Sequence, residues 1–277
     1  AYALKGGRIN TDAIDNSAGV NSSDVEVNIK IALSTALTSG RLDLPARNKL
    51  LASMTEEVGE LVLRNNYLQS LAISLTERQR ATNRDELARL MTVLEASGRL
   101  NRKVEMLPDD QAISERYVGG QALTRAEIGV LLSYAKISLF DDLVESDLPD
   151  APYCDSILMD YFPKKMRRSY QADIEGHRLK REIIATALAN HVINRGGPSF
   201  MVWMADATGG QPAEIVKAAM LASDGLDLQG YWDQIDALDG EIPGEVQNDL
   251  YARIEYVYRG FTKLAIDTKL TETDLAE

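Results

Sequence analysis

The helical spacing of apolar residues constrains the fold of this chain more than any other feature. From residue 44 onward, apolar residues recur at intervals of three and four, which predicts helices that each bury one face. Ala and Leu are abundant and aromatic residues make up only 6% of the 277 residues, a composition that favours helix over sheet. We therefore predict an all-α, multi-helix domain for this part of the chain.

Capping residues and helix breakers indicate where several of these helices begin. Pro45 suits the first turn of a helix through the proline-free stretch that follows, and Asn83 opens the next helix. Thr124 and Glu127 form a capping box before the apolar run IGVLLSYAKISLF, which predicts a buried central helix. A final helix is expected over about residues 243–266, followed by a frayed tail.

The first 22 residues differ from the rest of the chain. The segment YALKGGRIN is compatible with a short strand, and TDAIDNSAGVNS with a polar loop. Ser23 and Glu26 form a second capping box, so we expect a helix that begins at Ser23 and ends near Gly40. The run VEVNIKIALSTAL first alternates like a strand and also repeats every four residues like a helix. The capping box and Gly40 favour the helix.

The charge balance and the lack of long apolar runs exclude several classes of partner. The formal net charge is −12, so the surface repels nucleic-acid phosphates and anionic membranes. No apolar run approaches the roughly 20 residues of a membrane helix. The single cysteine, Cys154, excludes an intrachain disulfide. We predict a cytoplasmic protein that binds neither nucleic acid nor membrane.

The sequence offers few residues for metal or phosphate chemistry. His177 and His191 are the two histidines, and with one cysteine they cannot build a His/Cys metal cluster. On one helix their spacing of 14 residues corresponds to about 21 Å, too far to share a metal ion. Neither GxGxxG nor GxxxxGK(S/T) occurs. We therefore assign no catalytic residue and no metal ligand to this chain.

Four blocks of sequence carry a resemblance to a known family. They are GGRINTDAIDNSAGVNSSDVEVNIKI, LTRAEIGVLLSYAKISLFDDLVESDLPD, HRLKREIIATALANHVINRGGPSF and WDQIDALDG. The first is similar to the block that closes the NAD-binding domain of large-subunit, NAD-specific bacterial glutamate dehydrogenases. The others resemble the same family's C-terminal helical region. The resemblance implies that residues 1–40 are a short remnant of the α/β nucleotide-binding catalytic domain, and that residues 41–277 form the C-terminal helical domain.

The resemblance also implies site residues, because in ordinary glutamate dehydrogenases the equivalent of the first block contributes to the active site. Matched position by position, Asn16 corresponds to an asparagine near the nicotinamide, and Ser23 to the serine that binds the side-chain carboxylate of the substrate. A hydroxyl group at a helix N-terminus suits an anion. From the residues alone, Ser23 is equally a plain helix cap and Asn16 a plain turn residue. Asp24 stands where the family's smaller members have an aromatic residue, a departure that affects the local geometry.

The reaction that the resemblance implies is oxidative deamination of L-glutamate to 2-oxoglutarate and ammonia, with hydride transfer to NAD. The family's catalytic lysine and dinucleotide-binding fold lie outside the matched blocks, so we expect this chain alone to be inactive and not to bind NAD. Its expected partners are the remainder of the same subunit, glutamate and 2-oxoglutarate, in a homo-oligomer. We also expect residues 1–22 to be loosely packed or engaged with a neighbouring molecule. The alternative is an autonomous helical interaction module without catalytic activity.

Overall fold

A computed structural model describes residues 2–79 and 84–272 of the chain. Within these ranges the regular structure consists of fifteen α-helices and three short 3-10 segments, without a β-strand, which confirms the all-α prediction. The α-helices are α1 (Asp12–Asp15), α2 (Ser17–Thr38), α3 (Leu44–Ser53), α4 (Thr55–Arg78), α5 (Arg84–Ala96), α6 (Asp110–Val118), α7 (Arg125–Val144), α8 (Cys154–Tyr161), α9 (Lys164–Arg167), α10 (Gln171–Glu175), α11 (Lys180–Gly196), α12 (Phe200–Thr208), α13 (Pro212–Gly225), α14 (Leu228–Asp236) and α15 (Gly244–Asp267). The 3-10 segments are Ala3–Lys5, Leu148–Asp150 and Leu270–Glu272. The predicted cap Asn83 and residues 273–277 of the predicted tail lie outside the described residues.

The centre of the core is formed by α7 and α11, which pack against each other. Leu131 of α7 and Val192 of α11 are completely buried, and both helices also contact α4 and α13. Thr124 and Glu127 form the predicted capping box at the start of α7. The predicted buried central helix is therefore confirmed.

The C-terminal helices close around a group of aromatic rings. Helix α15 packs along α13 and contacts α12 and α14. The Tyr258 ring of α15 stacks on Phe200 with the ring centroids 5.3 Å apart, and Trp232 of α14 meets Tyr258 edge-on at 6.0 Å. Aromatic pairs of this geometry contribute about 0.5–1.5 kcal/mol beyond the area they bury. The three rings therefore hold α12, α14 and α15 against one another.

Helix α2 begins six residues before the predicted start. Its first residue is Ser17, so Ser23 lies in the second turn, and the predicted capping box of Ser23 and Glu26 is wrong. Asn66 of α4 donates to the carbonyl oxygen of Ile14 at 3.0 Å and to Ser17 Oγ at 2.9 Å. These two hydrogen bonds fix the chain where α2 begins, and so override the weak helix propensity of the segment SAGVNS.

The choice of helix over strand for VEVNIKIALSTAL is confirmed. Val25, Ile29 and Leu33 are spaced four residues apart and are buried, and α2 packs against α4. Val27, which a strand pattern pairs with them, is 52% exposed. The helix ends at Thr38, and Gly40 then adopts a left-handed conformation with φ +73°.

The strand predicted in the segment YALKGGRIN is wrong. The segment forms a 3-10 turn that ends at left-handed Gly6 (φ +87°), and the described residues contain no strand with which it could pair. The loose packing expected for residues 1–22 does not hold at α1, where Ile14 is only 1% exposed. Its side chain lies against Gly129 of α7, where a Cβ atom would be 3.2 Å from Ile14 Cγ1. Ile9, before α1, is exposed.

Two helices follow Pro45 where one was predicted. Pro45 lies in the first turn of α3, as expected, and Asp43 caps that helix. The helix stops at Met54, which has φ −103° and ψ −2° and a buried side chain, so burial sets a boundary that no proline or glycine marks. Helix α4 then continues for 24 residues. No helix in the described part of the chain is long and apolar enough to cross a membrane.

Candidate functional site

A cavity of about 660 Å³ opens between α2, α4, α8 and α11. Leu61 and Leu68 line it from α4, and Ile183 and Leu188 line it from α11, together with Phe140 of α7. Polar side chains of all four helices complete the lining. Cavities of about 300–1,000 Å³ with an apolar lining and a few polar groups are typical of small-molecule sites. This cavity is therefore the candidate functional site.

The lining of the cavity is acidic. Asp24, Asp160 and Glu182 contribute carboxylates, and no lysine or arginine of the described residues lines the cavity. Asp160 forms an ion pair with Arg167. Asp24 and Glu182 have no ion-pair partner within residues 2–79 and 84–272. Two lining carboxylates without an ion-pair partner favour positively charged ligands over anions.

Asn28, Tyr161 and His177 form a hydrogen-bonded group at the end of the cavity where these two carboxylates lie. Asn28 Nδ2 donates to the Tyr161 hydroxyl at 2.9 Å, and the Asn28 carbonyl oxygen is 3.1 Å from His177 Nε2. Burial raises the pKa of Tyr161, and the charge of Asp24 raises it further. Burial lowers the pKa of His177, the hydrogen bond with Asn28 and the charge of Glu182 oppose that shift, and the charge of Arg178 adds to it. Asp24 lies one turn from Asn28 on α2, Glu182 follows His177 by five residues in the chain, and both carboxylates line the cavity.

Farther along α11, two buried polar atoms have no hydrogen-bond partner. His191 and Asn194 lie one turn apart and both line the cavity, with Asn194 about 18 Å along the helix axis from Glu182. His191 Nε2 and Asn194 Oδ1 are buried and make no hydrogen bond to the described residues. Burial lowers the pKa of His191 to about 4, and the charge of Arg195 lowers it further, so the ring is neutral at pH 7. Buried polar atoms almost always have a hydrogen-bond partner, so we expect a ligand or a water molecule to bind to these two atoms.

Of the two predicted site residues, Ser23 lines the cavity and Asn16 does not. Ser23 is exposed, and its hydroxyl group makes no hydrogen bond within the described ranges. Val20 and Val27 lie about one turn to either side of it on the same stripe of α2 and are 58% and 52% exposed. Asn16 is exposed at the junction of α1 and α2, and its side chain caps neither helix.

The anion site predicted at a helix N-terminus is not formed at Ser23. Because α2 begins at Ser17, the amide of Ser23 lies inside the helix rather than among the unpaired amides of the first turn. The cavity lining adds no positive charge. The Ser23 hydroxyl is therefore a single neutral donor for a carboxylate, and the described residues do not by themselves form a dicarboxylate site.

Two protein-family models match this chain. The family model described as "Glutamate dehydrogenase, C-terminal" matches residues 120–277, more than half of the chain. A second model, "Bacterial NAD-glutamate dehydrogenase, catalytic domain", matches residues 1–76. The chain belongs to the bacterial NAD-glutamate dehydrogenase family. The resemblance inferred from the sequence blocks is thereby confirmed.

Individual members of the family are similar over most of this chain. The NAD-specific glutamate dehydrogenase of Halomonas elongata is 41% identical over 94% of the chain, and that of Pseudomonas aeruginosa is 39% identical over 99%. The NAD-specific glutamate dehydrogenase of Mycobacterium tuberculosis is 35% identical over 85%. The matched region spans only 16%, 17% and 14% of these three relatives, so the chain corresponds to a small part of their length.

The cavity lies where the two matched regions of the glutamate dehydrogenase family meet. Helices α2 and α4 fall in or overlap the catalytic-domain match, whereas α8 and α11 fall in the C-terminal match. His191, Asn194 and Asn65, which line the cavity, were not assigned from the sequence. Their signal was present: each is a polar residue on an otherwise apolar helix stripe, a pattern that marks a buried polar position.

Proposed function

We propose that this chain is the C-terminal part of an NAD-dependent glutamate dehydrogenase, and that its helical domain supports the end of the catalytic domain. In the full-length enzyme L-glutamate, NAD and water are converted to 2-oxoglutarate, ammonia and NADH. The names of the three relatives and the match to the bacterial catalytic-domain model support this activity.

One structural observation carries the proposed role of the helical domain. The inner face of α2, with Val25, Ile29 and Leu33, is buried in the same core as the central helices α7 and α11. Helix α4 bridges them, because it contacts α2, α7 and α11. Burial of three such side chains stabilises α2 by several kcal/mol, at about 1.5–3 kcal/mol each. The helical domain therefore gives the Ser23-bearing helix a rigid base.

The exposed face of α2 then turns toward the remainder of the subunit in this proposal. Val20, Ser23 and Val27 form one exposed stripe, and apolar residues exposed in a row are typical of a surface that another part of a protein covers. We assign Ser23 to the distal carboxylate of glutamate and Asn16 to the neighbourhood of the nicotinamide. Positive charge for the substrate carboxylates comes from the remainder of the subunit.

This assignment divides the chain into the end of the catalytic domain and the helical domain. Residues 1–40 end the catalytic domain and residues 41–277 form the helical domain, with the left-handed Gly40 after α2 at the boundary. The chain alone binds no NAD and is inactive, because it holds no dinucleotide motif and no assigned catalytic lysine. In this proposal the full-length enzyme is a cytoplasmic homo-oligomer. Cys154, the single cysteine of this chain, is buried and has a free thiol.

The second candidate is an autonomous helical interaction module whose likeness to the enzyme reflects ancestry alone. The exposed side chains Val104, Met106 and Val118, each at least 69% exposed, favour it as a docking surface. The shared core of α2, α4, α7 and α11 favours the enzyme instead, because an interaction module has no need to bury the end of a catalytic domain.

Substitution of Ser23 in the full-length enzyme tests the proposal. Ser23→Ala removes one hydrogen bond to a charged group, so we expect kcat/KM for L-glutamate to fall about 10- to 150-fold. For L-norvaline, which lacks the distal carboxylate, the change should be much smaller. Stability should not fall, because Ser23 lies inside α2 and caps nothing.

Ser34→Ala is the matched control, since Ser34 is an exposed serine of the same helix that does not line the cavity. It should leave both substrates unaffected. Equal losses for glutamate and norvaline in Ser23→Ala, or no loss at all, would remove Ser23 from the substrate site.

A further inference from the structure

We propose that the cavity between α2, α4, α8 and α11 binds a small organic cation, with an ammonium group at one end of an apolar stem and a hydrogen-bond donor at the other. This inference goes beyond the dehydrogenase activity, because it assigns a ligand class to the part of the cavity lined by Glu182, His191 and Asn194, whereas the distal carboxylate of glutamate is assigned to the exposed Ser23.

The charged residues that line the cavity indicate that its ligand is a cation. Asp24 and Glu182 line it without ion-pair partners in the described residues, and no described lysine or arginine lines it. Asp24 is one turn from Asn28, which donates to Tyr161 and whose carbonyl oxygen is 3.1 Å from His177 Nε2, and Glu182 follows His177 by five residues. An ammonium group at this end gains two counter-charges, whereas a carboxylate or phosphate there meets repulsion.

The unpartnered atoms define the other end. Asn194 is 3% exposed, it lines the cavity, and its Oδ1 atom accepts no hydrogen bond from the described residues. An amide oxygen can only accept, so its missing partner is a donor such as a hydroxyl or amide N–H. His191 Nε2, one turn away on α11, is also buried and unpaired. A hydrogen-bond donor of the ligand at this end gives a buried, unpaired polar atom its missing partner, which favours binding.

The space between the two ends is apolar. Leu61 and Leu68 of α4 face it together with Ile183 and Leu188 of α11 and Met220 of α13. Along α11, Glu182 and His191 are about 13.5 Å apart in axial rise, and a hydrogen bond at each end of the ligand takes up about 3 Å of that span. A stem of about six methylene groups matches the remaining gap and buries its surface against these side chains.

Two probes of equal length and opposite charge test the inference. The chain is titrated with 6-aminohexan-1-ol and, separately, with 6-hydroxyhexanoate, while the histidine ring signals are followed by NMR. His177 and His191 are the two histidines, His177 near the carboxylate end of the cavity and His191 near the other end. We expect the amine to shift the His191 signals saturably, and any shift of the His177 signals to follow the same binding curve. The carboxylate should produce no saturable shift.

Variants then assign the two ends. Glu182→Gln should weaken the binding of 6-aminohexan-1-ol about tenfold, as should Asn194→Leu, which removes the acceptor. Asp85→Asn is the control for lost negative charge, because Asp85 of α5 is fully exposed and outside the cavity. It should bind like the unmodified chain.

The inference is overturned if 6-hydroxyhexanoate binds as tightly as the amine, or if neither probe shifts His191. It is also overturned if Glu182→Gln binds the amine with unchanged affinity, because the carboxylate end then plays no part. Glu182 is only partly buried, so this variant keeps the test valid even if Asn194→Leu perturbs the fold.

Discussion

At the scale of single residues, Glu255 of α15 is a buried carboxyl group that does not line the cavity, with 8% of its surface exposed. Gln79 Nε2 donates to its Oε2 at 2.8 Å. Burial raises the pKa of Glu255 to about 7, although the positive charge of Arg259 opposes the shift. Arg259 itself bonds to Glu86 at 2.8 Å, so it is not a dedicated partner for Glu255. Glu255 is therefore held largely in its neutral form below pH 7.

The raised pKa makes folding stability depend on pH in a defined direction. The folded pKa of about 7 exceeds the unfolded value of 4.5, so the stabilising contribution is present below about pH 4.5 and is lost as pH rises through 7. Glu255→Gln removes the charge, so we expect it to raise the free energy of unfolding by about 1–3 kcal/mol at pH 8 and to bring no gain at pH 4.5.

Urea unfolding at the two pH values measures the difference. Glu245→Gln is the control, because Glu245 is an exposed glutamate of the same helix. A gain in Glu255→Gln that is the same at both pH values would refute the account of its pKa.

At the scale of elements, α1 is a four-residue helix with a single buried side chain. Ile14 is 1% exposed and lies against Gly129 of α7, whereas Ile9, five residues earlier, is 48% exposed. We expect Ile14→Ala to lower the free energy of unfolding by about 2–5 kcal/mol, because it leaves a cavity in the core. Ile9→Ala is the same chemical change at an exposed position and should stay within about 0.5 kcal/mol. Equal effects in urea unfolding would mean that α1 is not anchored.

The same elements indicate how far the sequence predicts the fold. Helix α7 was predicted correctly, because the capping box at Thr124 and a strongly apolar run are local signals. The start of α2 was not, because it depends on hydrogen bonds from Asn66, which is 49 residues away from Ser17 in the chain. The break at Met54 depends on burial and has no local marker.

The functional site, like the fold, was predictable only where the sequence carries a local signal. Ser23 was found through the family resemblance, and it does line the cavity. The cavity itself could not be predicted, because it forms only where α2, α4, α8 and α11 come together from distant parts of the sequence. His191 was assigned only a spacing from His177, since an unpaired ring nitrogen is a property of tertiary packing.

At the scale of the whole molecule, the chain joins two regions of the glutamate dehydrogenase family in one core. The catalytic-domain match and the C-terminal match meet where α2 and α4 pack with α7, α8 and α11. The chain nevertheless spans only 14–17% of the three relatives' lengths. A support role for the helical domain explains both facts, because the rest of the proposed enzyme then supplies the cofactor fold and the catalytic lysine.

The most direct test compares the chain with the longer polypeptide to which the proposed function assigns it. Equal molar amounts of the purified 277-residue chain and of the complete reading-frame product are assayed for NADH formation from L-glutamate and NAD. The account predicts NADH formation by the complete product and none by the chain. NADH formation by the chain that survives repurification, or a folded complete product without activity, would contradict it.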